Sequence, residues 1–109
     1  MGYHNSFEWD RQKAKANAQK HRVTFEDAEL VLADDQAERF HYEKYDAKHS
    51  MGEDRSNTIA YHPHRRSVVL LISWTSRQKD GGETVTRIVS ARRANSRERA
   101  EYAKAIGSK

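Results

Sequence analysis

The sequence predicts a small α+β domain of two N-terminal helices, a three- to four-stranded antiparallel curved sheet and one C-terminal helix. Three observations carry this. Helix caps and helix-period apolar spacing occur only at the two ends of the chain. Alternating and β-branched runs fill the middle, and tight-turn residues join them. Helices followed by a run of strands imply an α+β domain with the helices packed on one side of the sheet.

Residues 1–6 have no apolar anchor and are expected to be a flexible lead, followed by Phe7 and Trp9 flanking Glu8 as in a short strand. Asp10 is a good N-cap, and Arg11 to Lys20 is rich in helix formers. Lys13, Asn17 and Lys20 or His21 share one face of that helix. A polar face of this kind suits a helix that borders a site or a partner. The second helix opens at Thr24, with Asp27 placed to reach back to it and Val23 and Ala28 at staple positions. Phe25, Ala28, Val31 and Leu32 form its core stripe, and Asp34-Asp35 ends it.

Ala37 to Tyr45 alternates loosely, with Phe40 and Tyr42 on one side, as an edge strand would; a polar loop follows over residues 46–55. Asn57–His62 and Ser67–Thr75 are clearer strands joined at Pro63-His64-Arg65. The second is apolar almost throughout, as expected of a central strand covered on both faces. Asp80-Gly81-Gly82 makes a hairpin turn into Glu83–Ala91, where Val85, Arg87 and Val89 should share one face and Thr86, Ile88 and Ser90 the other. Asn95 with Glu98 opens the last helix, Gly107 stops it, and Ala100, Ala103 and Ile106 form its expected apolar stripe beside Tyr102.

With 109 residues the chain is expected to be one domain, 1–109, with one modest core. It is 36% hydrophobic and 33% charged, but the apolar residues fall in dense runs, which argues against disorder. The absence of cysteine excludes disulfide scaffolds, thiolate metal sites and cysteine nucleophiles, and fits a reducing compartment. The longest apolar run, Val68 to Ile72, is far short of the ~20 residues of a membrane span, and no signal-peptide pattern opens the chain. The expected location is the cytoplasm. His62 and His64 sit on a proline turn without a carboxylate–histidine signature, so no metal site and no cofactor is expected. Glycine-rich phosphate cradles and a Gly-x-Ser-x-Gly elbow are missing too.

The net charge of +4 favours nucleic-acid partners. Arg87, Arg92, Arg93, Arg97 and Arg99 crowd the last strand and the first turn of the last helix, opposed only by Glu98. Arginine at a helix start works against the helix dipole, so a bound phosphate would account for them; a solvated face is the plainer alternative. Arg87, between Val85 and Val89, should be partly covered and therefore needs a partner, either Glu8, Glu26 or Glu53 in a salt bridge, or a phosphate.

Four blocks of residues bear a family resemblance. They are Phe7-Glu8-Trp9-Asp10 with Lys13, Asn17 and Lys20-His21; Val23-x-Phe25-Glu26-x-Ala28; Gly52-Glu53-Asp54-Arg55; and Arg87 to Ala94 closing on Arg97-Glu98-Arg99 and Tyr102. In this order, over roughly residues 7–103, they resemble the BrnT toxins, which look like relatives of the RelE-type ribonucleases. The resemblance implies a RelE-like fold, RNA cleavage and growth arrest. It also implies neutralisation by a BrnA antitoxin in a hetero-oligomer, with DNA contacted only through that antitoxin's DNA-binding part. Arg22 departs from the pattern, standing where many members carry glycine. The hairpin around Ser76–Glu83 is longer than usual.

The chemistry then expected is metal-independent cleavage, with the 2′-hydroxyl as nucleophile. It needs a base, positive charge on the phosphorane and an acid for the leaving 5′-oxygen. Arg55 and Arg87, with Lys20 close behind, are the expected charge stabilisers. Glu26, Glu53 and His21 are candidates for the base, and Tyr102 or Lys20 for the acid. Arg92, Arg93 and Arg97 are expected to hold RNA phosphates. His21 could equally be structural and pack on Trp9, while Phe7 and Trp9 are read as core. The competing readings are a non-catalytic nucleic-acid-binding module and a protein-interaction domain using the same arginines.

Overall fold

The N-terminal helix starts where its cap predicts. The Asp10 carboxylate accepts from the backbone N–H groups of Gln12 and Lys13 at 2.8 and 3.0 Å, satisfying two donors that a helix start leaves unpaired. In the computed structural model, which describes residues 6–34, 40–47 and 54–107, a short strand β1 (Phe7–Glu8) precedes this helix, α1 (Arg11–His21). Arg22 closes α1 in the left-handed region at φ 57°, its N–H donating to Ala18 O. Glycine adopts that conformation freely; a residue with a Cβ does so at about 1–2 kcal/mol.

In α2 (Phe25–Leu32) the Thr24 hydroxyl accepts from Asp27 N at 3.0 Å, as expected of a cap. The Asp27 carboxylate does not reach back to Thr24; it faces His62 Nε2 at 3.0 Å. Phe25, Ala28, Val31 and Leu32 are all buried, so the predicted stripe is core. Trp9 packs edge-on against Phe25 with ring centroids 6.0 Å apart.

The remaining strands are β2 (Tyr42–Tyr45), β3 (Arg55–His62), β4 (Arg65–Gln78) and β5 (Thr84–Arg93), followed by α3 (Ser96–Gly107). Of the predicted edge strand, residues 37–39 lie outside the described residues. The sheet order is β1-β5-β4-β3-β2, antiparallel except where β1 runs parallel to β5. Among the described residues, the expected three or four antiparallel strands are thus five in a mixed sheet, because a two-residue strand pairing far along the chain leaves almost no local pattern.

The expectation of helices on one side of the sheet is also corrected. On one face Leu70, Ile72 and Trp74 of β4 join the α2 stripe, Ala60, Ile88 and Ala91 in the larger core. On the other, Val69 and Leu71 pack with Ile59, Tyr61 and Tyr102 of α3. Alternation puts successive β4 residues on opposite faces, so both had to be covered. The predicted α3 stripe shifts as well: Ala100 and Ala103 are exposed, Ile106 is half-buried, and Tyr102 is the buried residue. The reason is the helix start. Asn95 Oδ1 accepts from Glu98 N, Glu98 Oε1 accepts from Asn95 N, and Arg92 grips both Glu98 oxygens at 2.8 Å. Glu98 is thereby drawn to the sheet, and the residues following it at helical spacing, 102 and 106, turn inward with it.

Asn17, read as part of a polar face, is buried. Its carboxamide donates to Ala91 O at 2.7 Å and to Val23 O at 2.9 Å, while its Oδ1 accepts from Ala91 N at 3.1 Å. It therefore stands in for a neighbouring strand on the β5 edge past the point where β1 ends, and blunts an edge that could otherwise pair with another chain.

Candidate functional site

One row of side chains crosses four strands. Arg55 of β3 lies opposite Thr75 of β4, Thr75 opposite Arg87 of β5, and Arg87 beside Glu8 of β1. Residues directly opposite one another point to the same face, so the four stand together. Their face is the one on which α3 packs, but α3 meets the sheet chiefly through β2 and β3 at the other end. Arg87 Nη1 donates to Glu8 Oε2 at 2.7 Å, and Arg77 lies 3.6 Å from the same oxygen. The Arg87 side chain keeps one third of its surface (33%), so it is held by Glu8 and still open to solvent. Thr75 is buried, and its hydroxyl has no hydrogen-bond partner among the described residues.

Next to the row on the same face, Ser73 donates to Asn57 Oδ1 at 2.6 Å, and Asn57 donates to Asp46 at 3.2 Å. Asn57 also lines a cleft of about 480 Å³ between β2 and α3, together with Lys44, Asp46, Arg97, Glu98 and Glu101. A bulge shapes this region: Ser73 pairs with Ser90 but Trp74 pairs with Ile88, leaving Val89 as the extra residue. Beyond it Ser90 returns to the Arg87 face, which corrects the simple alternation expected for residues 85–90. Bulges increase local twist and re-aim side chains, a common device beside functional sites.

The other candidates lie elsewhere. Asp10 begins α1 near Arg87, and Asn17 meets Ala91, so α1 runs alongside β5 in the same direction. Lys20 and His21, in its last turn, therefore sit roughly 15–20 Å along β5 from Arg87. Lys20 is exposed and His21 half-buried. Glu26 is exposed at the start of α2, on the opposite face of the sheet. Glu53 lies outside the described residues. Tyr102 is 5% exposed between α3 and the sheet, and burial pushes its phenol above the ordinary tyrosine range.

The arginine cluster divides as well. Arg92 is occupied by Glu98, and their pairing holds the Glu98 carboxyl below its ordinary range and Arg92 above its own. Arg93 stands on the opposite face, across from Leu70, while Arg97 is exposed on α3. The Asp10 carboxyl is lowered first by the Lys13 amide, with a smaller part from the charge of Arg87.

Sequence reasoning missed Thr75 and Arg77, and it named Glu8 only as a salt-bridge partner. The alternation Phe7-Glu8-Trp9 already set Glu8 against two apolar neighbours, but only the β1–β5 pairing brings it to Arg87. Among the described residues, no three His, Asp or Glu side chains are grouped to hold a metal ion. No helix there is long and apolar enough to cross a membrane.

A search of curated proteins finds no match. Residues 9–98, most of the chain and all but the first member of the cross-strand row, match the family model described as the ribonuclease toxin BrnT of type II toxin–antitoxin systems, and the chain belongs to that family.

Proposed function

We propose that this toxin cuts RNA by attack of the 2′-hydroxyl on the adjacent phosphate, without a metal ion, at the row formed by Glu8, Arg87, Thr75 and Arg55. The observation that carries the reading is the row itself: guanidinium groups at two of its positions, a hydroxyl between them, and a carboxylate against one. RNA brings its own nucleophile, so the protein needs to supply charge and proton transfer. Arg87 and Arg55 would take the charge that develops on the phosphorane, since guanidinium forks match phosphate oxygens. Glu8 holds Arg87 and would accept the 2′-hydroxyl proton, while the departing 5′-oxygen would take a proton from water as its bond to phosphorus breaks. Lys20, His21 and Glu26 then belong to binding surfaces away from the reacting phosphate. Tyr102 serves the packing of α3.

As a type II toxin, the chain implies an antitoxin. We take this to be a BrnA-like protein that binds it in a hetero-oligomer and contacts DNA on its behalf, in the cytoplasm. Purified, antitoxin-free protein incubated with total RNA in excess chelator tests the cleavage reading, beside Arg87→Ala and Glu8→Gln variants. Cleavage leaving 2′,3′-cyclic phosphate ends, lowered ~10²–10³-fold in Arg87→Ala, is expected. Cleavage that stops in chelator, or that is equal in all three proteins, would overturn it.

A further inference from the structure

We propose that Arg22, Arg65 and Arg93 form a phosphate-binding site at the end of the sheet remote from Arg87. They line one concavity of about 40 Å³, whose wall includes Asp27 and His62. At about 10–15 Å³ per water-sized probe, this is the space of a few waters, which suits one oxyanion and not a nucleobase.

Charge points to an anion. Asp27 is the carboxylate of the concavity, and it is already engaged. His62 is almost wholly buried, and its Nδ1 accepts from His64 N at 3.1 Å. Its proton therefore sits on Nε2 and is donated to Asp27 Oδ1 at 3.0 Å. The other Asp27 oxygen lies 3.8 Å from Arg65. Three arginines and one carboxylate thus line the concavity, and of the three only Arg65 is drawn toward Asp27, which leaves a local surplus of about two positive charges.

Backbone strain points the same way. Arg22 holds the left-handed turn at φ 57°, where a residue with a Cβ costs stability, and it is one of the residues lining the concavity. Strained residues persist where the surroundings or a ligand use them. A tetrahedral phosphate, with more acceptor oxygens than a carboxylate, could engage several arginines around one concavity where an acidic side chain engages fewer. The phosphate could be free or part of RNA; the RNA source rests on the ribonuclease reading, whereas the free source does not.

The test uses the full chain, wild type beside Arg22→Gly and Arg93→Gln, with no cleavage measured. Thermal unfolding is followed in inorganic phosphate and in chloride of equal ionic strength. Binding of a 2′-O-methyl RNA oligonucleotide, which lacks the nucleophile, is measured against salt. Phosphate should raise the wild-type Tm above its chloride value. Arg22→Gly should start with a higher Tm, because the left-handed strain is gone, and lose the phosphate shift. Arg93→Gln should lose the shift without the gain.

If RNA is the source, both variants bind the oligonucleotide about tenfold more weakly, with a salt slope smaller by about one. Loss of the phosphate shift with unchanged RNA binding assigns the site to free phosphate. Equal responses to phosphate and RNA in all three proteins overturn the proposal. So does a site that answers only to a glutamate-rich peptide, which would make it a protein-docking surface.

Discussion

Replacing Asn17 with alanine removes three hydrogen bonds from one place, and all three lie in the interior. Each is worth about 0.5–1.5 kcal/mol net, and a buried donor left unsatisfied costs about 1–3 kcal/mol. The Ala91 N–H would be such a donor, because Ala91 is fully buried and, among the described residues, the β5 edge has no strand beside it there. The Val23 and Ala91 carbonyls lose one partner each. The sum is a loss of about 2–4 kcal/mol, or roughly 8–32 °C in Tm at the usual 4–8 °C per kcal/mol for a domain near this size. Urea and thermal unfolding of wild type and Asn17→Ala measure it directly. Asn17→Asp serves as the control: it keeps the acceptor but aims a negative charge at two carbonyls. It should be at least as unstable at neutral pH, and should recover as the pH falls and the carboxyl regains a proton to donate. A loss below about 0.5 kcal/mol in Asn17→Ala would refute the view that this side chain closes the β5 edge.

Other outcomes follow from the same structure. Arg55→Ala, like Arg87→Ala, should lower RNA cleavage ~10²–10³-fold with unfolding unchanged within about 1 kcal/mol, checked by single-turnover cleavage and urea melts. Arg22→Gly should stabilise by about 0.5–1 kcal/mol, since relief of the left-handed strain outweighs the entropy of the added glycine; chemical denaturation reads it. Glu98→Ala should cost about 1–2 kcal/mol at pH 7 through the lost cap and the lost Arg92 pair. The folded Glu98 carboxyl lies below its ordinary range, held there first by Arg92. Its stabilisation is therefore complete above the unfolded value near ~4.3 and fades as the pH falls through the lower, folded value. The wild-type and Glu98→Ala stability curves should converge in acid, and a constant gap down to low pH would contradict the assignment. Ile72→Ala, at a fully buried position of the main core, should cost about 2–5 kcal/mol in the same melts.

The helix starts were legible because caps are local chemistry. Asp10, Thr24 and the Asn95–Glu98 pair each act within three residues, and each was identified from spacing alone. The strand core was legible for a similar reason, and the unbroken apolar run of β4 already said that both its faces are covered. That implication conflicted with placing every helix on one side, and the structure resolves the conflict in favour of β4. Asn17 was misassigned because a polar side chain on a helix looks solvated until a strand edge is brought against it.

By itself, then, the sequence determined the element types, the caps, the residues of the α2 stripe and the family to which the chain belongs, since these are recorded in neighbours along the chain. Tertiary structure alone decided that β1 pairs with β5, that a bulge at Val89 restores Ser90 to the Arg87 face, and that Glu8, Thr75 and Arg55 meet Arg87 in one row. It also separated Arg87 from Lys20 and His21, which the sequence had grouped by chemistry. The physical reason is that strand register and the choice of sheet face depend on contacts between residues as far apart as Glu8 and Arg87, and one shifted residue turns a side chain to the opposite face.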